Sequence, residues 1–387
     1  MLYVPRSLGL YNFLDISEVN SLGKSALLVR SYKPGTLEPL QDLSIVPHVE
    51  PTPAIPFQVS KLMGQQLLDV ILRRHLEKFS CSVEMGTELR SFEQSDEGVT
   101  AILAKNGISE SFDTKWIIGA DGAKKRRACL RDHRVANTNR DHNKMVWMGD
   151  FRANMRMVNK FGEGRVFVAG DAAHPTGGQG LDSGVQDADE NLRLFRNLGI
   201  ANKSLLETYS AERLPVISET LEVTTSILDR TITSGDISAG RSHILYMLGI
   251  KCRFSTIVLD EFVASAKPID AYGVLDEGNL EAGDGVPDAS NILQVVRVEP
   301  DATTLFGLYR PWYHAILVFA LSLADAAPIL VTPVASPVGL ILVDREGYAY
   351  SAYLVEVGQT KVFVIRPDGV IGAIVHGVKK IRGLDVY

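Results

Sequence analysis

The apolar and polar positions of the chain fall into three recurring patterns. Continuous apolar runs at Trp116-Ile-Ile-Gly-Ala120 and Val166-Phe-Val-Ala169 read as buried strands, each ending beside an Asp and a Gly. A stripe of Leu62, Met63, Leu67, Leu68, Ile71, Leu72 and Leu76 predicts a helix within 60–79. Residues 181–198 predict a second, longer helix. Leu205 begins a third that leads to Pro215. From Val216 to Ser265 the pattern is helical and amphipathic, broken at Ser234-Gly-Asp. Residues 83–85 and 99–103 alternate as strands, with Gly98 at a turn.

Residues 268–287, rich in Gly, Asp and Pro, read as a linker. Beyond it the pattern is strand-like at 295–298, 315–321, 339–343, 362–365 and 371–375. Arg366-Pro-Asp-Gly369 makes a tight turn between the last two. The expected organisation is therefore a unit over 1–267, a linker over 268–287 and a second unit over 288–387.

The stretch from Gly164 to Gly180 organises the first unit. A buried strand runs into Gly170-Asp171 and a turn containing Pro175, Gly177, Gly178, Gln179 and Gly180, after which a helix begins. A glycine turn at a helix start presents free N–H groups and the positive dipole end. An Asp at the strand end can accept from ribose hydroxyls, and the helix end suits a partly anionic ring.

Residues 164–192 resemble the second flavin-binding motif of the FAD-dependent aromatic hydroxylases, the phenol hydroxylase and para-hydroxybenzoate hydroxylase group. The resemblance implies an α/β fold: an incomplete FAD/NAD(P)-binding, Rossmann-like domain followed by a thioredoxin-like α/β domain. It implies that Gly170, Asp171 and Pro175 serve FAD, Asp171 at the ribose and ribityl region. Gly177, Gly178, Gln179 and Gly180 would border the isoalloxazine ring. Residues 116–123 resemble the family's middle motif, whose Asp-Gly, here Asp121-Gly122, would contact the FAD pyrophosphate and the nicotinamide cofactor. The family continues with a Ser and then an Arg; this chain has Lys124-Lys125-Arg126-Arg127, either a solvated helix start or a phosphate-facing run.

Three departures qualify that picture. No G-x-G-x-x-G turn occurs in the 387 residues, so the usual diphosphate cradle is not among them. Only 50 steps separate Asp121 from Asp171, and the resemblance then implies that most of the substrate-covering sheet is missing between 123 and 145. Residues 145–152 resemble the segment just before the flavin motif. Asp182 stands where the family usually has Asn, an unfavourable charge near a reduced ring if the side chain points inward. Tyr209, Glu212, Arg213 and Pro215 match a family signature, and packing with local pairing of Glu212 and Arg213 is the expected role. His174 could act as a base, but its position beside a buried strand favours a structural hydrogen bond.

Residues 288–387 resemble the thioredoxin-like C-terminal domain of phenol hydroxylases. They contain no cysteine, which excludes dithiol chemistry there. Packing, dimer contact or shielding of the flavin domain is the expected role.

Composition narrows the rest. A net charge of −6 gives no reason to expect nucleic acid. The three cysteines, Cys81, Cys129 and Cys252, lack metal-ligand spacing and suit a reducing compartment. The N-terminus has no signal-peptide pattern, and the apolar run 315–332 is interrupted by Asp325 and Pro328. A cytoplasmic, non-membrane protein is expected. The resemblance implies an FAD-dependent monooxygenase hydroxylating a phenolic or polyketide-derived aromatic substrate with NAD(P)H and O₂. The competing expectation is a non-catalytic truncated relative, acting as a scaffold or partner of a complete enzyme, or a mis-assembled gene model. No catalytic base can be named from the sequence.

Overall fold

The computed structural model describes residues 1–25, 28–33, 35–44, 49–122, 156–175, 179–197, 203–234, 242–263, 270–276, 278–295, 302–322, 340–356 and 358–376. Two short parallel strands, Ile117–Gly119 and Val166–Val168, stand at the centre of the first unit, flanked by Gly162–Glu163. Their register pairs Val166 with Ile117 and Val168 with Gly119. Phe167 is buried against Phe161 and Tyr209, which fixes the pair onto the following helices. A three-stranded antiparallel meander, Thr87–Gln94, Val99–Lys105 and Ile108–Thr114, precedes them. The strand expected at 83–85 begins instead at Thr87, because Gly86 adopts a left-handed φ of +73° and turns the chain there.

Among the described residues, four helices longer than two turns carry the rest of this unit. Pro5–Phe13 starts on Pro5, whose missing N–H costs nothing in a first helical turn. Gln65–Glu77 begins later than the apolar stripe suggested, since Lys61–Leu62 pairs as a strand with Leu2–Tyr3 and Lys24–Ser25. Gly180–Asn197 matches the expectation closely. Glu207–Ser234 runs straight through Pro215, forgoing one backbone bond; burial of Tyr209, Val216 and Ile217 holds it together.

The helical pattern beyond Ser234 does not survive folding. Residues 242–263 form a 3-10 turn at His243–Tyr246 and the short strands Gly249–Ile250 and Leu259–Asp260. The first strand pairs with Tyr272–Gly273 and the second lies parallel to Ile371–Val375. Tertiary pairing overrides the local preference here.

The C-terminal sheet runs in the order Leu259–Asp260, Ile371–Val375, Lys361–Ile365, Ala315–Phe319. Both central strands are buried along their whole length. The expected turn joins them, with Gly369 at φ +66° and its amide donating to the Arg366 carbonyl. A second sheet joins Ala302–Thr303, Ile292–Gln294 and Leu342–Asp344.

The two halves share a core. Phe13, at the end of the first helix, packs edge-on against Phe306 (centroids 4.9 Å apart) and against Tyr309. Residues expected as a linker are built into the fold: Ala271, Tyr272, Ala282 and Val286 are buried, and Gly285 bridges to Val370. No helix among the described residues is long and apolar enough to cross a membrane.

Candidate functional site

The register of the two parallel strands decides what meets at their C-terminal edge. Asp121 and Gly122 follow Gly119 on one strand, and Gly170 and Asp171 follow Val168 on its neighbour. Both Asp-Gly motifs therefore stand side by side at one edge of the sheet, the edge at which parallel α/β sheets bind ligands. The Ala169 amide donates to the Gly119 carbonyl (3.0 Å), tying the two exits together. Asp121 and Asp171 are exposed, and no described side chain engages either carboxylate.

A 3-10 turn at Gly170–Ala172 leads from the strand towards Pro175. Gly170 has a φ of +59°, and its N–H donates to Asp187 Oδ2 at 2.8 Å. The turn lies directly on the Gly180–Asn197 helix: a side chain at Gly184 would put its Cβ 3.2 Å from the Gly170 Cα. Pro175 accepts from the Arg156 amide (3.3 Å). Gln179 is left-handed (φ +57°). Its Nε2 donates to the Leu245 carbonyl and its Oε1 accepts from the Tyr272 hydroxyl, both at 2.6 Å. Its side chain is thus a strut between the Leu245 carbonyl and the Tyr272 hydroxyl. Gly177 and Gly178 lie outside the described residues, as do Lys124 to Arg127 and residues 145–152.

Beneath the turn sits a buried charge network. His174 and Asp187 are both 0 % exposed, with His174 Nε2 and Asp187 Oδ2 2.5 Å apart. Arg213 Nε donates to Asp187 Oδ1 at 2.8 Å, and Arg213 Nη2 reaches the Ser183 carbonyl. Burial pushes the Asp187 carboxyl up, but Arg213, His174 and the Gly170 N–H outweigh it and hold it below the ordinary range. His174 is therefore a structural hydrogen-bonder that pins the turn to the helix, as its position beside the strand suggested.

Glu212 and Arg213 do not pair locally. Arg213 faces Asp187, and Glu212 accepts two bonds from Arg366, at 3.1 and 2.8 Å. Ser255 Oγ also donates to Glu212, at 2.5 Å. Arg366 pairs with Asp368 as well. The Glu190, Glu212 and Cys252 ligand atoms lie within 4.8 Å of one another. Arg366 and Arg213 already compensate these carboxylates, and burial pushes the Cys252 thiol up, away from a metal-binding thiolate.

Asp182 points into the protein rather than towards the turn. It is 2 % exposed, and its Oδ1 accepts from the Val4 amide at 3.2 Å, capping the first helix. Burial pushes its carboxyl up to about 6.

The donor set fits part of a flavin dinucleotide. Two unengaged carboxylates at a sheet edge are acceptors for sugar hydroxyls and repel phosphates, while a helix N-terminus beside them suits an electron-rich ring. Asp121, Asp171 and the helix start around Gly180 would hold the ribose, ribityl and ring side. Backbone donors grouped for a diphosphate are not found among the described residues.

Comparison with known proteins agrees with this geometry. The FAD binding domain family matches residues 52–131 and 124–224. A flavin-dependent monooxygenase of Mycobacteroides abscessus is 26% identical over 83% of this chain and 76% of its own length. The 6-methylpretetramide 4-monooxygenase of Streptomyces rimosus is 28% identical over 42% of this chain, which spans 43% of that protein. Among solved structures, aklavinone-11 hydroxylase with FAD and aklavinone superposes with a TM-score of 0.72, at 19% identity, over 100% of this chain and 90% of that one. The flavin-dependent monooxygenase PieE gives 0.73 at 17% identity, covering 99% and 90%. The fold is the α/β fold of FAD-binding hydroxylases. Residues 52–131 and 124–224 match an FAD binding domain, so FAD is the cofactor of the matched domain, and the chain is similar to flavin-dependent aromatic monooxygenases.

Proposed function

We propose that this chain acts as an FAD-dependent monooxygenase on a planar aromatic substrate, phenolic or polyketide-derived, with NAD(P)H and O₂ as co-substrates. The observation that carries the reading is the juxtaposition of Asp121 and Asp171 at one sheet edge beside the start of the 180–197 helix. The cofactor-facing set is Asp121, Gly122, Gly170, Asp171, Pro175, Gly177, Gly178, Gln179 and Gly180. When bound, FAD supplies the redox chemistry of oxygen transfer. The chain's own residues orient it: Asp171 and Asp121 accept from sugar hydroxyls, and the helix start stabilises negative charge at the ring. The His174, Asp187 and Arg213 network keeps the turn in place.

The C-terminal unit is read as a thioredoxin-like domain that packs against the flavin domain. Its mixed sheet and its antiparallel hairpin 361–375 support that reading. A homodimer through this unit and a cytoplasmic location complete the proposal.

Titration of the purified chain with FAD, followed by flavin fluorescence, tests the reading. Saturable binding is expected, weakened about tenfold in Asp171→Ala, the loss of one charge-assisted hydrogen bond. NADH or NADPH oxidation stimulated by phenols is expected to follow. No flavin uptake at high micromolar FAD, or equal affinity in Asp171→Ala, overturns it.

A further inference from the structure

A cleft of about 360 Å³ opens where the Pro5–Phe13 helix, residues 52–57, the 248–253 segment, residues 275–287 and the C-terminal unit meet. None of the residues assigned to the flavin lines it. Its volume lies in the range of small-molecule sites, about 300–1,000 Å³. The walls are apolar and partly aromatic, with Leu10, Phe13, Ile55, Leu280, Phe306 and Tyr348 among them.

Arg6 lines this cleft and makes no ion pair among the described residues. The Arg6 Nε is buried and makes no hydrogen bond. Its guanidinium lodges against Gly285, where a side-chain Cβ would sit 2.8 Å from Nη1, so a glycine is what leaves room for it. Lys251 also lines the cleft, but its ammonium lies by Gly273 and the Asp270 carboxylate, which do not line it. The obvious acidic partner is already taken. Arg253 grips Asp284 with two bonds of 2.6 Å and reaches Glu281 at 2.8 Å. Asp276, exposed at the rim, turns one carboxylate oxygen to the Gly278 amide (3.3 Å). Buried donors left unmet are costly, and an apolar cleft holding spare positive charge is complementary to an amphipathic anion.

We propose that this cleft binds a small aromatic carboxylate, its ring against Phe13, Phe306 and Tyr348 and its carboxylate on Arg6. The site stands apart from the flavin edge. It is linked to that edge through one strand pair: Gly249–Ile250 lines the cleft and pairs with Tyr272–Gly273, and the Tyr272 hydroxyl holds Gln179.

Calorimetric titration of the full chain, without FAD, with naphthalene-2-carboxylate and its neutral amide tests the site independently of the flavin reading. The acid is expected to bind, and the amide at least about tenfold more weakly. Arg6→Gln is expected to weaken the acid about tenfold and leave the amide unchanged. Gly9 offers a control for folding. It lines the cleft on the first helix, and nothing lies within 4 Å of where its Cβ would be. Gly9→Leu should therefore fill the cleft and abolish binding with an unchanged or higher melting temperature. No binding of the acid, equal binding of acid and amide, or undiminished binding in a folded Gly9→Leu variant would overturn the proposal.

Discussion

At residue 182 the fold holds a carboxylate where a neutral amide would serve it better. Burial raises the Asp182 carboxyl to about 6 from its ordinary 3.8. Below about pH 3 the group is protonated in both folded and unfolded chains and costs nothing. As pH rises through 4 to 6 the unfolded chain ionises first, so the folded state loses stability, and the loss persists above that range. Asp182→Asn retains an oxygen for the Val4 amide and removes the charge. Urea denaturation should show it more stable by about 2–3 kcal/mol at pH 7.5, the difference vanishing at about pH 3. Equal stability at pH 7.5 would mean the carboxylate is better compensated than the geometry indicates. Asp187 is the opposite case. Its partners hold the carboxyl low, and Asp187→Ala strips Arg213, 1 % exposed, of its 2.8 Å carboxylate partner, leaving Glu190 at 3.7 Å. A loss of about 3–5 kcal/mol is expected by the same denaturation measurement.

Among the elements, the close approach of the 170–172 turn to the 180–197 helix sets the shape of the flavin edge. In an ordinary helix interior Gly to Ala gains about 1 kcal/mol. At Gly184 the new methyl would meet the Gly170 backbone at 3.2 Å, so Gly184→Ala is expected to lower both the melting temperature and FAD affinity. An unchanged affinity would show that the turn does not need to sit on the helix. The sequence revealed this element because strand 166–168 and the glycine-rich turn are local signals. Elsewhere local signals misled. Val83 to Met85 alternate like a strand, yet Gly86 turns the chain. The apolar spacing of 242–263 resembles a helix, yet it is consumed by strand pairing with residues 272–273 and 373–374. The partners of Glu212 and Arg213 were not legible at all. Arg366 lies 154 residues from Glu212 and Asp187 lies 26 from Arg213, and no spacing rule reaches that far. Asp187 itself sits on the buried face of its helix with Ser183 and Glu190, a run of polar residues at helical spacing that signals an internal network.

For the whole molecule, the flavin half and the C-terminal half are fastened by several contacts among the described residues. Phe13 enters the C-terminal core, Arg366 enters the flavin half to meet Glu212, and the Gly285 to Val370 bridge stitches the intervening chain. Calorimetry should therefore show one cooperative unfolding transition, and Phe13→Ala should cost about 3–5 kcal/mol. Two resolved transitions would mean that the halves fold separately. The account as a whole rests on the sheet edge where Asp121 and Asp171 meet. Hydrogen–deuterium exchange read by mass spectrometry, with and without FAD, tests that most directly. Added FAD should slow exchange at residues 117–122 and 169–184 while leaving the 361–375 hairpin unaffected. Unchanged exchange at both motifs under saturating FAD would contradict the account.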